Sequence, residues 1–209
     1  QENYWEGLDL LVASMPNTPL RAGLRANANV TFGITPPALM DLWVKRLCAH
    51  GIRSFWIYDV LFGLENMLRL ARVAKEANGA KVAGDIMFAL SPVHTDEFFV
   101  SNARKLAASP DIDSILLYDT AGVLEKDRIE KLVPALVQAA NGKPVEVHSN
   151  NLLGLSAPQN PATQQRTRRY IGFYMDEDPD APNYDPQHKI IRSMINGSRG
   201  PMLRPATAL

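Results

Sequence analysis

The sequence predicts an α/β protein of the TIM-barrel, (β/α)8, class. Two observations carry this. Short apolar runs alternate with amphipathic helical stretches at about thirty residues per unit, which argues for a parallel sheet with right-handed crossovers. The polar residues of the predicted strands gather at their C-terminal ends, where such barrels place their chemistry. In order, residues 4–15 have helical apolar spacing, and 19–27 read as a short strand ending in Arg25. Residues 36–51 form an amphipathic helix with proline at its start and glycine at its end. Residues 52–59 are a mostly apolar strand, as a buried parallel strand would be. Residues 64–79 are a helix closed by glycine, and 81–90 a strand. Residues 94–109 are a helix with Thr95 as cap and Asp96 and Glu97 in its first turn, where the positive helix end favours carboxylates. Residues 113–119 are a strand, 125–142 a helix, and 144–148 a strand running into a polar tip.

Residues 1–154 thus read as clear βα units within a single domain of 1–209, and residues 155–209 as an irregular, discontinuous part of it. Five strands are legible where a barrel needs eight, and about 250 residues are typical of the class. Further barrel segments are therefore expected before Gln1, near residues 155–160 and within about 176–186.

The 209 residues are 46% hydrophobic and 21% charged, which suits a globular domain with a sizeable core. Lys+Arg and Asp+Glu both number 22, and the pI is about 7.1, so no nucleic-acid footprint is expected. No apolar run approaches the roughly 18 residues that span a bilayer. Cys48 is the single cysteine; it reads as a buried helical thiol and points to a reducing, cytoplasmic location. No G-x-G-x-x-G or P-loop follows any strand, so nucleotide folds lack their signature.

The strand ends supply the candidate residues. Arg25 suits bidentate binding of a carboxylate, or a salt bridge between elements. Asp59 would orient Arg25 or a substrate, or cap the next helix. Tyr118 offers a phenol for acid–base work, and Asp119 either the same or a turn-building role. His148 and Asn150, two residues apart on a strand, project to one side, as paired metal ligands do. Asn150 supplies only an amide oxygen, which suits hard cations better than zinc. His94 is expected to pack at a helix entry, and the acidic run 175–182 and basic run 166–170 to be solvated.

Together, "YWEGLDLLVASMPNTPLRAGLRANAN", "FWIYDVLFGLENM", "SPVHTDEFFVSNARKLA", "YDTAGVL" and "VEVHSNNLLG" resemble the carboxyltransferase family of pyruvate carboxylase, the oxaloacetate decarboxylase alpha subunit and transcarboxylase. The hydroxymethylglutaryl-CoA lyase group is similar at greater distance. The resemblance covers about residues 4–154 and implies a TIM barrel with a divalent metal (Mn, Zn, Co or Mg) at its C-terminal face. It implies that Arg25 holds the carboxylate of pyruvate or oxaloacetate and that Asp59 matches the family's F-D. The family's metal-binding Lys is replaced by Tyr118, and its H-x-H pair by His148 and Asn150. In the tail, "NPATQ" and "RSMINGSRGPML" are loosely similar to family segments, Pro158 falls where the family has a proton-shuttling Thr, and Arg192 and Ser193 stand where it has His and Gln. No biotin-attachment A-M-K-M occurs in the sequence, so biotin would be carried by another chain or domain.

The expected activity is a lyase or carboxyltransferase of the pyruvate carboxyltransferase type, acting on a small 2-oxo acid through an enolate, in a homo- or hetero-oligomer. One alternative is a catalytically degenerate barrel serving as a regulatory subunit paired with an intact relative. Another is metal-free acid–base chemistry by Tyr118, Asp119 and His148.

Overall fold

In a computed structural model of the chain, residues 3–28 and 33–150 are described. Helix α1 (Tyr4–Ser14) is capped by Asn3, whose Oδ1 accepts from the Trp5 amide at 3.2 Å. It is followed by β1 (Arg21–Arg25), α2 (Pro37–Ala49), β2 (Ser54–Tyr58), α3 (Leu64–Asn78), β3 (Lys81–Met87), α4 (Asp96–Ala107), β4 (Ser114–Asp119), α5 (Lys126–Ala139) and β5 (Val145–Ser149). Every element read from the sequence over these residues is present. Local chemistry sets the boundaries. Pro37 opens α2, where its missing N–H costs nothing. Gly79 closes α3 at φ +69°, a conformation that L side chains rarely adopt. Thr95 Oγ1 caps α4 by accepting from the Phe98 amide at 3.2 Å.

The strands form one parallel sheet in the order β1-β2-β3-β4-β5. Side chains alternate across it. One face packs on α2 to α5 and is apolar: Phe55, Ile57, Val82, Ile86, Ile115, Leu117, Val145 and Val147 join Met40, Val44, Met67, Leu70, Phe99, Leu106 and Leu136 in one core cluster. Sequential strand order with helices on one face is the wall of a barrel rather than a doubly wound sheet.

The opposite face is the barrel interior, and it is unusually polar. Arg21 reaches from β1 to Glu146 on β5, with Nη1 and Nη2 both donating to the carboxylate and Nη2 at 3.2 Å from Oε1. Ser114 Oγ donates to Glu146 Oε1 at 2.6 Å, and Arg21 Nε donates to Ser54 Oγ at 3.0 Å. A contact between the first and fifth described strands requires the sheet to curl. The pair therefore holds the curvature that a barrel wall needs.

Helix α1 is tied to α2 by Trp5, whose ring stacks on His50 at 4.8 Å and meets Trp43 at 5.2 Å. The expected burial of Cys48 is present; burial pushes its thiol pKa up, partly offset by Arg53. His94 sits at the α4 entry as expected. Its Nδ1 is 2.7 Å from Ser91 Oγ, and its ring stacks on Phe99 at 5.8 Å. Arg128 of α5 donates to the His94 carbonyl at 2.7 Å and to Asp96 Oδ1 at 2.8 Å. No helix among the described residues is long and apolar enough to cross a membrane.

Candidate functional site

The C-terminal end of the sheet brings Tyr118, His148 and Asn150 together. Tyr118 and His148 are register partners on β4 and β5, and Asn150 follows β5. Asn150 organises the group. Its backbone N–H donates to the Asp119 carbonyl at 3.2 Å, and its Nδ2 donates to the Thr120 carbonyl at 3.1 Å. That second bond turns Oδ1 toward the other two residues. Tyr118 Oη donates to Oδ1 at 3.4 Å, and His148 Nε2 lies 3.1 Å from it. Because Oδ1 only accepts, His148 is the tautomer with its proton on Nε2. Burial lowers the His148 pKa to about 4, against a smaller upward pull from Asn150, so the ring is neutral at pH 7. Burial also raises the Tyr118 pKa above its usual 10, so its phenol stays protonated.

Trp56 covers this group. Its indole stacks on His148 at 4.9 Å with only 8° between planes and meets Tyr118 at 4.9 Å. To do so it crosses the inward face over Gly23, where an added Cβ would lie 1.9 Å from Trp56 Nε1. A residue larger than glycine would displace the indole. Tyr58 completes the aromatic set, 6.0 Å from Trp56 and 6.3 Å from Tyr118.

The remaining candidates divide. Arg25 is half-buried at the end of β1, in register with Tyr58. Asp59 is buried, and its Oδ1 accepts from the Leu61 amide at 2.8 Å, a turn-building bond. Asp119 is buried too, with Oδ1 accepting from Val123 N and Oδ2 from Leu124 N, both at 3.0 Å. These bonds shape the loop after β4. Both aspartates thus perform the local backbone role that their residue type allowed. Pro158, Arg192, Ser193 and the runs 166–170 and 175–182 lie outside the described residues.

As arranged, the described donors do not fit a divalent metal. His148 supplies a single imidazole, whose Nε2 lies 3.1 Å from the Asn150 amide oxygen. The Asn150 oxygen already has two groups directed at it, and Tyr118 is a neutral phenol. Among the described residues, no group of three or more His, Cys, Asp or Glu could hold a metal ion.

Among the inward-facing residues not singled out from the sequence are Trp56, Glu146 and Asp85. Asp85 had a signal, as the one acidic residue inside the otherwise apolar "VAGDIMFAL". It is 1% exposed, and neither carboxylate oxygen has a hydrogen-bond partner among the described residues. Burial pushes its pKa well above the ordinary value of 3.8, and the Glu146 charge adds to the shift.

A family described as a domain of unknown function (DUF8034) matches residues 148–208. The chain is 35% identical to a pyruvate carboxylase subunit of Methanocaldococcus jannaschii over 155 residues, which covers 74% of this chain and 27% of that protein. It is 27% identical to the methylmalonyl-CoA carboxyltransferase 5S subunit of Propionibacterium freudenreichii subsp. shermanii, covering 74% of this chain and 30% of that one. The carboxyl transferase domain of Rhizobium etli pyruvate carboxylase, solved with pyruvate, superposes with a TM-score of 0.73 at 25% identity, over 78% of this chain and 28% of that one. The chain thus spans between a quarter and a third of the length of these relatives. Over the matched residues, with its wall of consecutive parallel strands, the chain is a relative of the carboxyltransferase family of pyruvate carboxylase and methylmalonyl-CoA carboxyltransferase, built on the same TIM-barrel fold.

Proposed function

We propose that the chain contributes the carboxylate-binding side of a carboxyltransferase- or decarboxylase-type site for a small 2-oxo acid, with chemistry passing through an enolate. The observation that carries this reading is the placement of Arg25 on the same sheet face as the protonated Tyr118, at the strand ends where barrels bind ligands. Arg25 would hold the substrate carboxylate in a two-pronged ion pair. Tyr118 would donate a hydrogen bond to the oxygen that gains charge as the enolate forms. Its present bond to Asn150 is long, at 3.4 Å, so little is lost when the hydroxyl turns to a ligand. His148, neutral and stacked under Trp56, would orient Asn150 and help exclude water. Asp59 and Asp119 would serve by holding the loops after β2 and β4. No step is assigned to a metal, because the described donors do not fit one.

Support for the substrate class comes from the Rhizobium etli domain, which was solved with pyruvate and, separately, with oxamate and biotin. A biotin group carried by another chain or domain, an oligomeric assembly and a cytoplasmic location belong to the same proposal. Two relatives are, by their names, subunits.

The test is turnover of oxaloacetate by the purified chain, followed as pyruvate formed. Arg25→Gln is expected to lower kcat/KM by roughly ten- to a hundredfold, the size of a lost charge-assisted pair. No turnover, with or without a biotin-bearing partner, would refute the enzymatic reading.

A further inference from the structure

Asp85 remains unexplained by the roles above. It lies on the inward face of β3, in register with Leu116 of β4. The β2–β3 pairing ends at Ile57 and Gly84, so the next positions along, Tyr58 and Asp85, stand side by side. Tyr58 is in turn the register partner of Arg25. Arg25, Tyr58 and Asp85 therefore form a row across three strands, with about 10 Å between the backbones of the outer two. All three positions face the barrel interior, so a small ligand held by Arg25 would sit on the face into which Asp85 projects.

The surroundings decide the form of that carboxyl. Glu146, whose charge acts on it, is itself already met by Arg21 and Ser114. Tyr118 feels the Asp85 charge as an unfavourable one. His148 is neutral, and no described donor reaches either Asp85 oxygen. An ionised carboxylate buried without a cation or a donor is strongly disfavoured, whereas a protonated carboxyl keeps a free O–H to give.

We propose that Asp85 is held as a neutral carboxylic acid that donates a hydrogen bond to the carbonyl oxygen of a bound 2-oxo acid. This rests on the substrate reading above and adds a second donor beside Tyr118. Where the described donors do not fit a metal, two neutral O–H groups would polarise that oxygen instead.

The probe is oxamate, an unreactive analogue of a 2-oxo acid, with the full chain at pH 7. Infrared spectra are compared between wild type and Asp85→Asn, and calorimetry measures binding. The expected result is a protonated-carboxyl band that Asp85→Asn removes and that shifts when oxamate binds. Asp85→Leu is expected to weaken oxamate binding about tenfold. Asp85→Asn, which retains an N–H donor, should restore most of that loss, as a merely structural role would not require. If the variants fail to fold, 13C-labelled aspartate in the wild type assigns the band. Absence of the band overturns the proposal, whatever oxamate does. A band that does not move while oxamate binds also overturns it and leaves the substrate reading intact. A band with no oxamate binding to wild type refutes the substrate reading, and the assigned hydrogen bond falls with it.

Discussion

Replacing Arg21 with methionine tests whether an internal ion pair holds the curl of the sheet. The guanidinium donates twice to Glu146, and Ser114 donates once more to the same carboxylate. The Glu146 side chain is 5% exposed and that of Arg21 22%. Removing one partner of a buried pair costs about 3–5 kcal/mol, because the other charge is stranded. Ser114 still serves Glu146 after the change, and Arg21 is partly hydrated before it. The loss for Arg21→Met is therefore placed at the lower end, about 3 kcal/mol. In a chain of this size that is a fall in Tm of roughly 6–12 °C. The double variant Arg21→Met/Glu146→Leu replaces the pair with apolar groups and should recover most of the loss. Urea unfolding followed by circular dichroism measures all variants, read as a shift in midpoint at constant slope. If the single variant loses under 1 kcal/mol, or if the double variant loses the sum of the two singles, the pair is not the element that holds the curl.

Three further outcomes follow from the inward face and the loop after β4. Asp119→Ala removes the acceptor of two backbone donors, Val123 N and Leu124 N, at about 1–3 kcal/mol for each buried donor left unpaired; hydrogen exchange should become fast at both amides. His148 should show no NMR titration of its ring between pH 8 and 5. Its folded pKa of about 4 lies below the unfolded 6.5, so stability falls as pH drops from 6.5 toward 4, and His148→Phe should remove this acid sensitivity while keeping the stack on Trp56. Asp85 has the opposite sign. Its folded pKa lies above the unfolded value of 3.8, so stability is greatest below that pH and declines as pH rises toward the folded pKa, by about 1.4 kcal/mol per unit at most. Asp85→Asn should therefore be more stable than wild type at pH 7, with the gap closing toward pH 4.

The wall of the barrel was legible because each of its parts has a local cause. Helical spacing marked α2 to α5, Pro37 and Gly79 marked ends, and Thr95 with Asp96 and Glu97 marked the α4 start. The strands had short apolar runs of the right length. The polar strand tips were also visible, and Tyr118, His148 and Asn150 do converge. For Asp59 and Asp119 the sequence offered two roles. Nothing local separated them, since a carboxylate that holds a ligand and one that holds a turn are the same residue at the same place. The backbone N–H groups that the following loop places around each carboxylate make the turn bonds.

The sequence by itself determined the order and type of the elements, the barrel class and the set of polar strand ends, since periodicity and capping act over a few residues. Tertiary structure alone decided which inward-facing groups meet. Arg21 and Glu146 are separated by 125 positions and join only because the sheet curls. Trp56 reaches His148 only because Gly23 leaves room for its indole. The protonation state of Asp85 depends on charges placed across the barrel interior, which no spacing along the chain records. Burial and cross-strand geometry govern these outcomes, and both arise only when the strands are side by side.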